Sequence, residues 1–195
     1  MATDLRLKLG PADAGLELSR EEFALADFAE PYRYERAGGR LTVMTPAGFG
    51  HQRPQAQLIR LLGNYREDHP ELVDAVITEA WFHVDVLTDR IADLGLYLRT
   101  SSALGHGTDR VPELVVEIVS PGTENRQRDY IQKRAEYRAA GVREYLIVDP
   151  EQQQVIVIRW DAGSEQETRL GRDDEYSTPL LPGLVIALQQ VLGES

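Results

Sequence analysis

The sequence predicts an α/β protein built on a mixed β-sheet with helices on its faces. Two stretches carry that prediction. Glu113–Val119 (E-L-V-V-E-I-V) is an unbroken apolar run of strand length, the pattern of a strand buried on both faces. A helical stretch over about Arg126–Ala140 follows it and stops at Gly141, and a second compact strand, Glu144–Val148, comes next. With several strands and another helix upstream, this order suits a sheet covered by helices.

The remaining elements follow in chain order. Ser19–Glu22 (S-R-E-E) reads as a capping box that opens a short helix reaching about Phe28. Tyr32–Thr45 reads as a hairpin, with strands around Tyr34 and over Leu41–Met44 flanking Gly38-Gly39. After a loop at Pro46–Gly50, a helix runs from His51 to about Glu67, with Leu58, Leu61, Leu62 and Tyr65 at helical spacing. Asp68-His-Pro70 ends it. Two strands are expected near Ala75–Thr78 and Trp81–Val86, and Arg90–Leu98 is extended. Thr100–Arg110, rich in Gly, Ser and Thr, reads as a mobile loop. Asp149-Pro150 closes the strand at Glu144–Val148. Val155–Trp160 is a further strand with a partner around Thr168, and Pro179–Ser195 is a turn and a short final element.

Composition narrows the function. The chain has 195 residues and no cysteine, which excludes a disulfide framework, thiolate metal sites and a cysteine nucleophile. No apolar run approaches the length of a membrane span. Met1–Arg6 shows no basic region leading into an apolar stretch, so a cytoplasmic protein without a secretory signal is expected. The net charge of −11 argues against a protein that coats DNA through a basic surface, though a local basic cleft is compatible with it. Only Lys8 and Lys133 are lysines, and every other cation is arginine. A single lysine in mid-sequence suggests a need for a compact amine there.

Glu117 lies in the middle of the apolar strand Glu113–Val119. A buried carboxylate without a partner costs several kcal/mol. Glu117 is therefore protonated, paired with a cation or bound to a metal. Asp93, in I-A-D-L-G-L, raises the same question, with a strand-end or turn role beside Gly95 as the alternative. Two carboxylates on neighbouring buried strands repel unless a cation lies between them. Hard oxygen ligands without Cys or convergent His favour Mg²⁺ or Mn²⁺ over Zn²⁺. His69, His83 and His106 show no zinc-type spacing, and His83 with Asp85 makes too small a pair for a site. On the helix after Glu117, Tyr130, Lys133, Tyr137 and Ala140 form one stripe that could face the sheet, while Ile131, Ala135 and Ala139 form a competing one. Carboxylates, a divalent ion and an ammonium together suit phosphodiester hydrolysis.

V-P-E-L-V-V-E-I-V-S-P-G-T followed by R-D-Y-I-Q-K-R-A-E-Y-R-A-A-G-V-R-E-Y-L-I-V-D-P resembles the bacterial Uma-type "putative restriction endonuclease" family of the PD-(D/E)XK nuclease superfamily. Y-R-Y-E-R-A-G-G-R-L-T-V-M-T-P with His51, and S-T-P-L-L-P-G-L near the end, extend the resemblance from about Tyr32 to Leu192. It implies a restriction-endonuclease-like core over about residues 51–150 in a single domain spanning 1–195. An N-terminal helix and hairpin (19–45) and C-terminal strands and tail (153–195) would flank that core. It also implies Asp93 and Glu117 as the two acidic metal ligands, with the carbonyl of Ile118 as a third. Lys133 would be the catalytic lysine moved onto the following helix, since Val119 replaces the lysine of the usual E-x-K and Ala92 replaces the usual Pro. Glu35 and His51 match family positions as accessory residues: Glu35 as an extra acid at the metal or a hairpin surface charge, His51 as a phosphate contact or a plain helix-entry residue. Asp129 and Tyr137 are orienting or packing residues.

The expectation is therefore a Mg²⁺- or Mn²⁺-dependent endonuclease that cuts DNA, acting as a homodimer. Two alternatives stand beside it: a catalytically vestigial nucleic-acid-binding or assembly module, and another metal-dependent phosphodiesterase. Residues 117–145 hold six cations against five acids, so this segment is far less acidic than the chain as a whole.

Overall fold

Strand β3 (Arg33–Ala37) and strand β4 (Arg40–Met44) form the predicted hairpin. Its turn, Gly38-Gly39, has positive φ at both residues (57° and 79°), as a tight two-residue hairpin requires. The computed structural model describes residues 6–99, 110–161 and 163–193. Apart from Arg110, the loop read at Thr100–Arg110 lies outside the described residues.

Ahead of the hairpin, the capping box forms as read: Glu22 N–H donates to Ser19 Oγ (3.2 Å) and Ser19 N–H to Glu22 (2.8 Å). Helix α1 (Arg20–Leu25) stops short of Phe28 because β2 (Asp27–Phe28) pairs in parallel with β1 (Lys8–Leu9). Phe23, Tyr34 and Leu41 close a small core over this extension. Helix α2 (Phe49–Asp68) begins two residues before His51 and buries Leu58, Leu62 and Tyr65.

The two strands expected at Ala75–Thr78 and Trp81–Val86 are one, β5 (Val73–His83). Glu79 stands between the two stretches with φ 50°, a local distortion that the ladder to β6 (Asp89–Leu98) spans without losing register. Strand β7 (Leu114–Ile118) is buried throughout, as read. The helix expected from about Arg126 starts earlier. It runs through α3 (Thr123–Gln127), a π turn (Arg128–Gln132) and α4 (Lys133–Ala140), and ends on Gly141 at φ 93°. Strands β8 (Glu144–Asp149), β9 (Gln154–Asp161) and β10 (Ser164–Gly171) follow, with Thr168 opposite Val157. A small sheet of β11 (Glu175–Ser177) and β12 (Val185–Ala187) and the short helix α5 (Gln189–Leu192) complete the fold.

The main sheet runs β10-β9-β8-β7-β6-β3-β4, with β5 also on β6. β7 and β8 are parallel and the other pairs antiparallel, so the sheet is mixed, as expected. Asp89 pairs with His83 of β5 and with Arg36 of β3, whereas Leu94 pairs with Thr78 of β5 and Val116 of β7. β3 and β7 therefore share the edge of β6 opposite β5, and they leave a fork between them. One core, around Leu58, Leu96, Val116 and Ile186, fills the α2 face; the other, around Phe82, Val115, Tyr137 and Ile147, fills the α4 face. Ala92 and Leu94, expected on one face by strand alternation, fall into different cores. The pleat is interrupted at Asp93. Among the described residues no helix is long and apolar enough to cross a membrane.

Gly95, close to the fork, has no room for a side chain. A Cβ there would stand 2.7 Å from the Ala80 Cβ and 3.1 Å from Pro112 Cγ, both on stiff backbone. Gly95→Ala is expected to cost about 1–3 kcal/mol, read as a lower urea midpoint with an unchanged m-value.

Candidate functional site

The fork gathers the buried charges. The β6–β7 ladder ends at Leu94 opposite Val116, and Asp93 and Glu117 are the next residues on each strand, where the strands part and the charge of Asp93 acts on Glu117. Backbone groups that lose strand partners there are met by side chains. Ile118 N–H donates to Asp93 Oδ2 (2.8 Å), Ile91 N–H to Glu35 Oε1 (3.0 Å), and Gln55 Nε2 to the Asp93 carbonyl (3.1 Å). Polar residues inside a strand-rich core are tolerable here because they complete a broken ladder.

The helix supplies the cation. Its face toward the sheet is the stripe containing Lys133 and Tyr137, both buried, while Ile131 of the competing stripe is 64% exposed. Lys133 Nζ donates to Glu117 Oε1 at 2.8 Å and lies 3.7 Å from Asp129 Oδ1 and 3.8 Å from Glu35 Oε1. Tyr137 also donates its hydroxyl to Glu117 Oε1. The π turn contributes to this geometry. Lys133 N–H donates five residues back, to the Arg128 carbonyl. The wider turn brings residues four apart closer to one azimuth than an α-helix does, so Asp129 and Lys133 both face the fork.

The other side chains lock the acids. His51, in the first turn of α2, donates Nε2–H to Asp93 Oδ2 at 2.8 Å. Arg33 reaches Asp93 Oδ1 at 3.2 and 3.3 Å. Arg90, on β6, bonds Glu35 (2.8 Å) and makes two 2.7 Å bonds to Glu136 of α4, which ties strand to helix across the site. Arg128 Nε donates to Asp129 (3.1 Å).

Electrostatics separates the two central acids. Burial works to raise Asp93, but the hydrogen bond and charge of His51, the charge of Lys133 and the Ile118 amide outweigh it and hold the group at about 2. Glu117 is pushed up to about 8, first by burial and then by the charges of Asp93, Asp129 and Glu35, with Lys133 opposing. Burial also opposes ionisation of Glu35, yet Lys133 and Arg90 keep it below the usual range. Lys133 itself rises: Glu117, Glu35 and Asp129 together outweigh its desolvation.

Asp93, Glu117, Lys133, Glu35 and His51 converge on the fork. Asp93 is buried in a strand interior and is not a turn residue. Glu35 is fully buried and is not a hairpin surface charge. His51 meets Asp93, where a phosphate contact had been one expectation. Ile118 touches Asp93 through its amide. His83 pairs with Asp89, a residue not weighed from sequence, while Asp85 accepts from Leu87 N–H (2.7 Å). The sequence reasoning missed Arg33, Gln55, Arg90 and Arg128. Arg33 shares strand parity with Glu35, and Arg90 is a cation entering the extended run that holds Asp93; both were available signals.

A solved structure titled "putative nuclease belonging to DUF820" from Anabaena variabilis ATCC 29413 matches with a TM-score of 0.71 at 15% identity, over 90% of this chain and 97% of that one. At that identity the likeness is one of fold: a mixed central sheet with flanking helices. A family model described as "Putative restriction endonuclease" (Uma2) matches residues 20–189, and the chain belongs to that family. No curated protein matches it.

The raised Glu117 has a consequence for metal-free protein in EDTA. From its ordinary value of 4.5 up to about 8, the folded state keeps a proton that the unfolded chain has released. Stability therefore falls as pH rises through that window. Glu117→Gln lacks the slope. It is expected to melt near wild type at pH 5 and above wild type at pH 8.5, by up to a few kcal/mol. Parallel melting curves across that range would contradict the assignment.

Proposed function

We propose that the protein is an endonuclease that hydrolyses DNA phosphodiester bonds with the help of Mg²⁺ or Mn²⁺. The observation that carries this reading is that Asp93 and Glu117 adjoin the last paired residues of β6 and β7, where the strands part, with the Lys133 ammonium 2.8 Å from Glu117. The donor chemistry fits a divalent cation. The oxygens are hard, Asp93 is held ionised, and Glu117, pushed up to about 8 first by burial, would exchange its proton for the ion. Asp93 and Glu117 would hold the ion, with the Ile118 carbonyl as the proposed additional ligand. Among the described residues no three His, Asp or Glu side chains form a metal group, so a backbone ligand and water would have to complete the shell. When bound, the ion would polarise the phosphate and make a water nucleophilic at neutral pH.

The chain's own residues do the rest. His51 and the Ile118 amide hold Asp93 in one orientation and keep it anionic. Tyr137 and Lys133 fix Glu117. Lys133 is a compact, movable ammonium that can orient the attacking water or stabilise charge gathering on phosphorus. It does from the helix what the strand position Val119 does not. Glu35 keeps that ammonium charged without bonding it closely. A homodimer would bring two such sites to the two strands of a duplex, the arrangement the family resemblance implies.

One observation favours a second reading, a non-catalytic nucleic-acid-binding module. Both oxygens of Asp93 already accept hydrogen bonds, Oδ1 from Arg33 and Oδ2 from His51 and Ile118. Cleavage of supercoiled plasmid and single-stranded DNA with Mg²⁺, Mn²⁺ or EDTA separates the readings. Metal-dependent cutting is expected, with losses of about 100-fold or more in Glu117→Ala and Lys133→Ala, each verified as folded. DNA binding without cutting under every metal would support the binding module instead.

A further inference from the structure

Beside the fork lies a cleft of about 230 Å³ between the end of β4 and the entry to the α3–α4 helix. Its polar lining is Arg33, Thr45, Ser120, Asn125 and Arg128, with Val43, Met44 and Ala47 completing the wall. In a chain of net charge −11, the described residues of this lining carry two guanidinium groups and no carboxylate. Each arginine stands between the cleft and an acid of the site. Arg33 leans on Asp93 through long contacts of 3.2 and 3.3 Å, and Arg128 is anchored to Asp129 through Nε at 3.1 Å. Both side chains remain about one-fifth exposed. A guanidinium has five donors, and one carboxylate uses only part of that capacity. A tetrahedral oxyanion in the cleft would take up the rest bidentately.

We propose that Arg33 and Arg128 form a phosphate-binding clamp at the mouth of the site. The assignment of its ligand to a nucleic-acid backbone phosphate rests on the nuclease reading, whereas the clamp itself rests on the lining of the cleft. Ser120, Asn125 and Thr45 supply neutral donors around the same space. An anion bound there is one guanidinium away from Asp93 and one from Asp129. The clamp thus selects phosphate and sets it beside the acids without placing a bare anion against them. It also gives an acidic protein a local route to a polyanion.

The test uses the full-length protein in EDTA, so that metal plays no part. Fluorescence anisotropy with labelled duplex DNA is measured against NaCl concentration, and calorimetry with inorganic pyrophosphate is run in parallel. Arg128→Gln and Arg33→Lys, which keeps the charge on Asp93 but removes the planar fork, are compared with wild type. Arg134→Gln, a cation paired with Glu165 and Glu167 on the outer side of α4, is the charge control. Melting curves establish that each variant is folded. The expected result is an affinity loss of about tenfold for both ligands in the two clamp variants. Arg128→Gln should also make the logarithmic salt slope shallower by about 0.9, the value of one phosphate contact. Arg134→Gln should change either affinity less than about twofold, as for a lost surface pair. Clamp variants that bind DNA and pyrophosphate like wild type overturn the clamp and leave the nuclease reading standing. Pyrophosphate binding that is lost in the variants, with no DNA binding by wild type, supports the clamp and overturns the nucleic-acid reading. Wild type that binds neither ligand overturns the clamp.

Discussion

The arrangement depends on a single ammonium buried among carboxylates. Lys133 contacts Glu117 and lies within 4 Å of Glu35 and Asp129. Buried acids without a cation would be costly, and removing the cation of a buried ion pair typically costs several kcal/mol. Arg90 serves the periphery by holding Glu35 to Glu136, but the centre belongs to the lysine. Burial, ahead of the charges of Asp93, Asp129 and Glu35, pushes Glu117 up to about 8, so the metal-free fork keeps a proton at neutral pH. That proton links the packing of the sheet to the chemistry proposed for it, because a divalent cation would displace it.

The fork is equally a backbone feature. A continuous β6–β7–β3 ladder would satisfy its own amides and carbonyls and leave no reason for Asp93, Glu35 or Gln55 to be inside. Where β3 and β7 diverge, those side chains take the ladder's place. Stability and site are therefore the same set of hydrogen bonds. The distortions nearby fit that picture: Glu79 at φ 50° opposite the break in β6, and the π turn that brings Asp129 and Lys133 together. Departures from regular secondary structure concentrate where the charges are.

Much of this was legible in the residues. The all-apolar strand around Glu117, the lone mid-sequence lysine and the odd carboxylate at Asp93 pointed to one place, because a buried charge in a strand demands a partner. The capping box at Ser19, the Gly38-Gly39 turn and the stop at Gly141 were local chemistry and formed as read. What was not legible was long-range or irregular. That β3 and β7 share an edge of β6 is a topological fact with no local signature. The arginines were hard to assign because nineteen of them look alike in a chain with two lysines. Arg33 and Arg90 carried local signals, strand parity with Glu35 and a place in the run that holds Asp93, but their partners show only once the strands are assembled. Asp27–Phe28 looked helical because nothing local announced its parallel partner at Lys8–Leu9.

In the function proposed above, the parted strands hold a divalent cation between Asp93 and Glu117. Crystals grown with Mn²⁺ and measured at the manganese absorption edge test it most directly. An anomalous peak is expected within coordination distance of both carboxylates, with the Lys133 ammonium beside it. A Mn²⁺-saturated crystal with no peak at the fork, and with Arg33 still on Asp93, would contradict it.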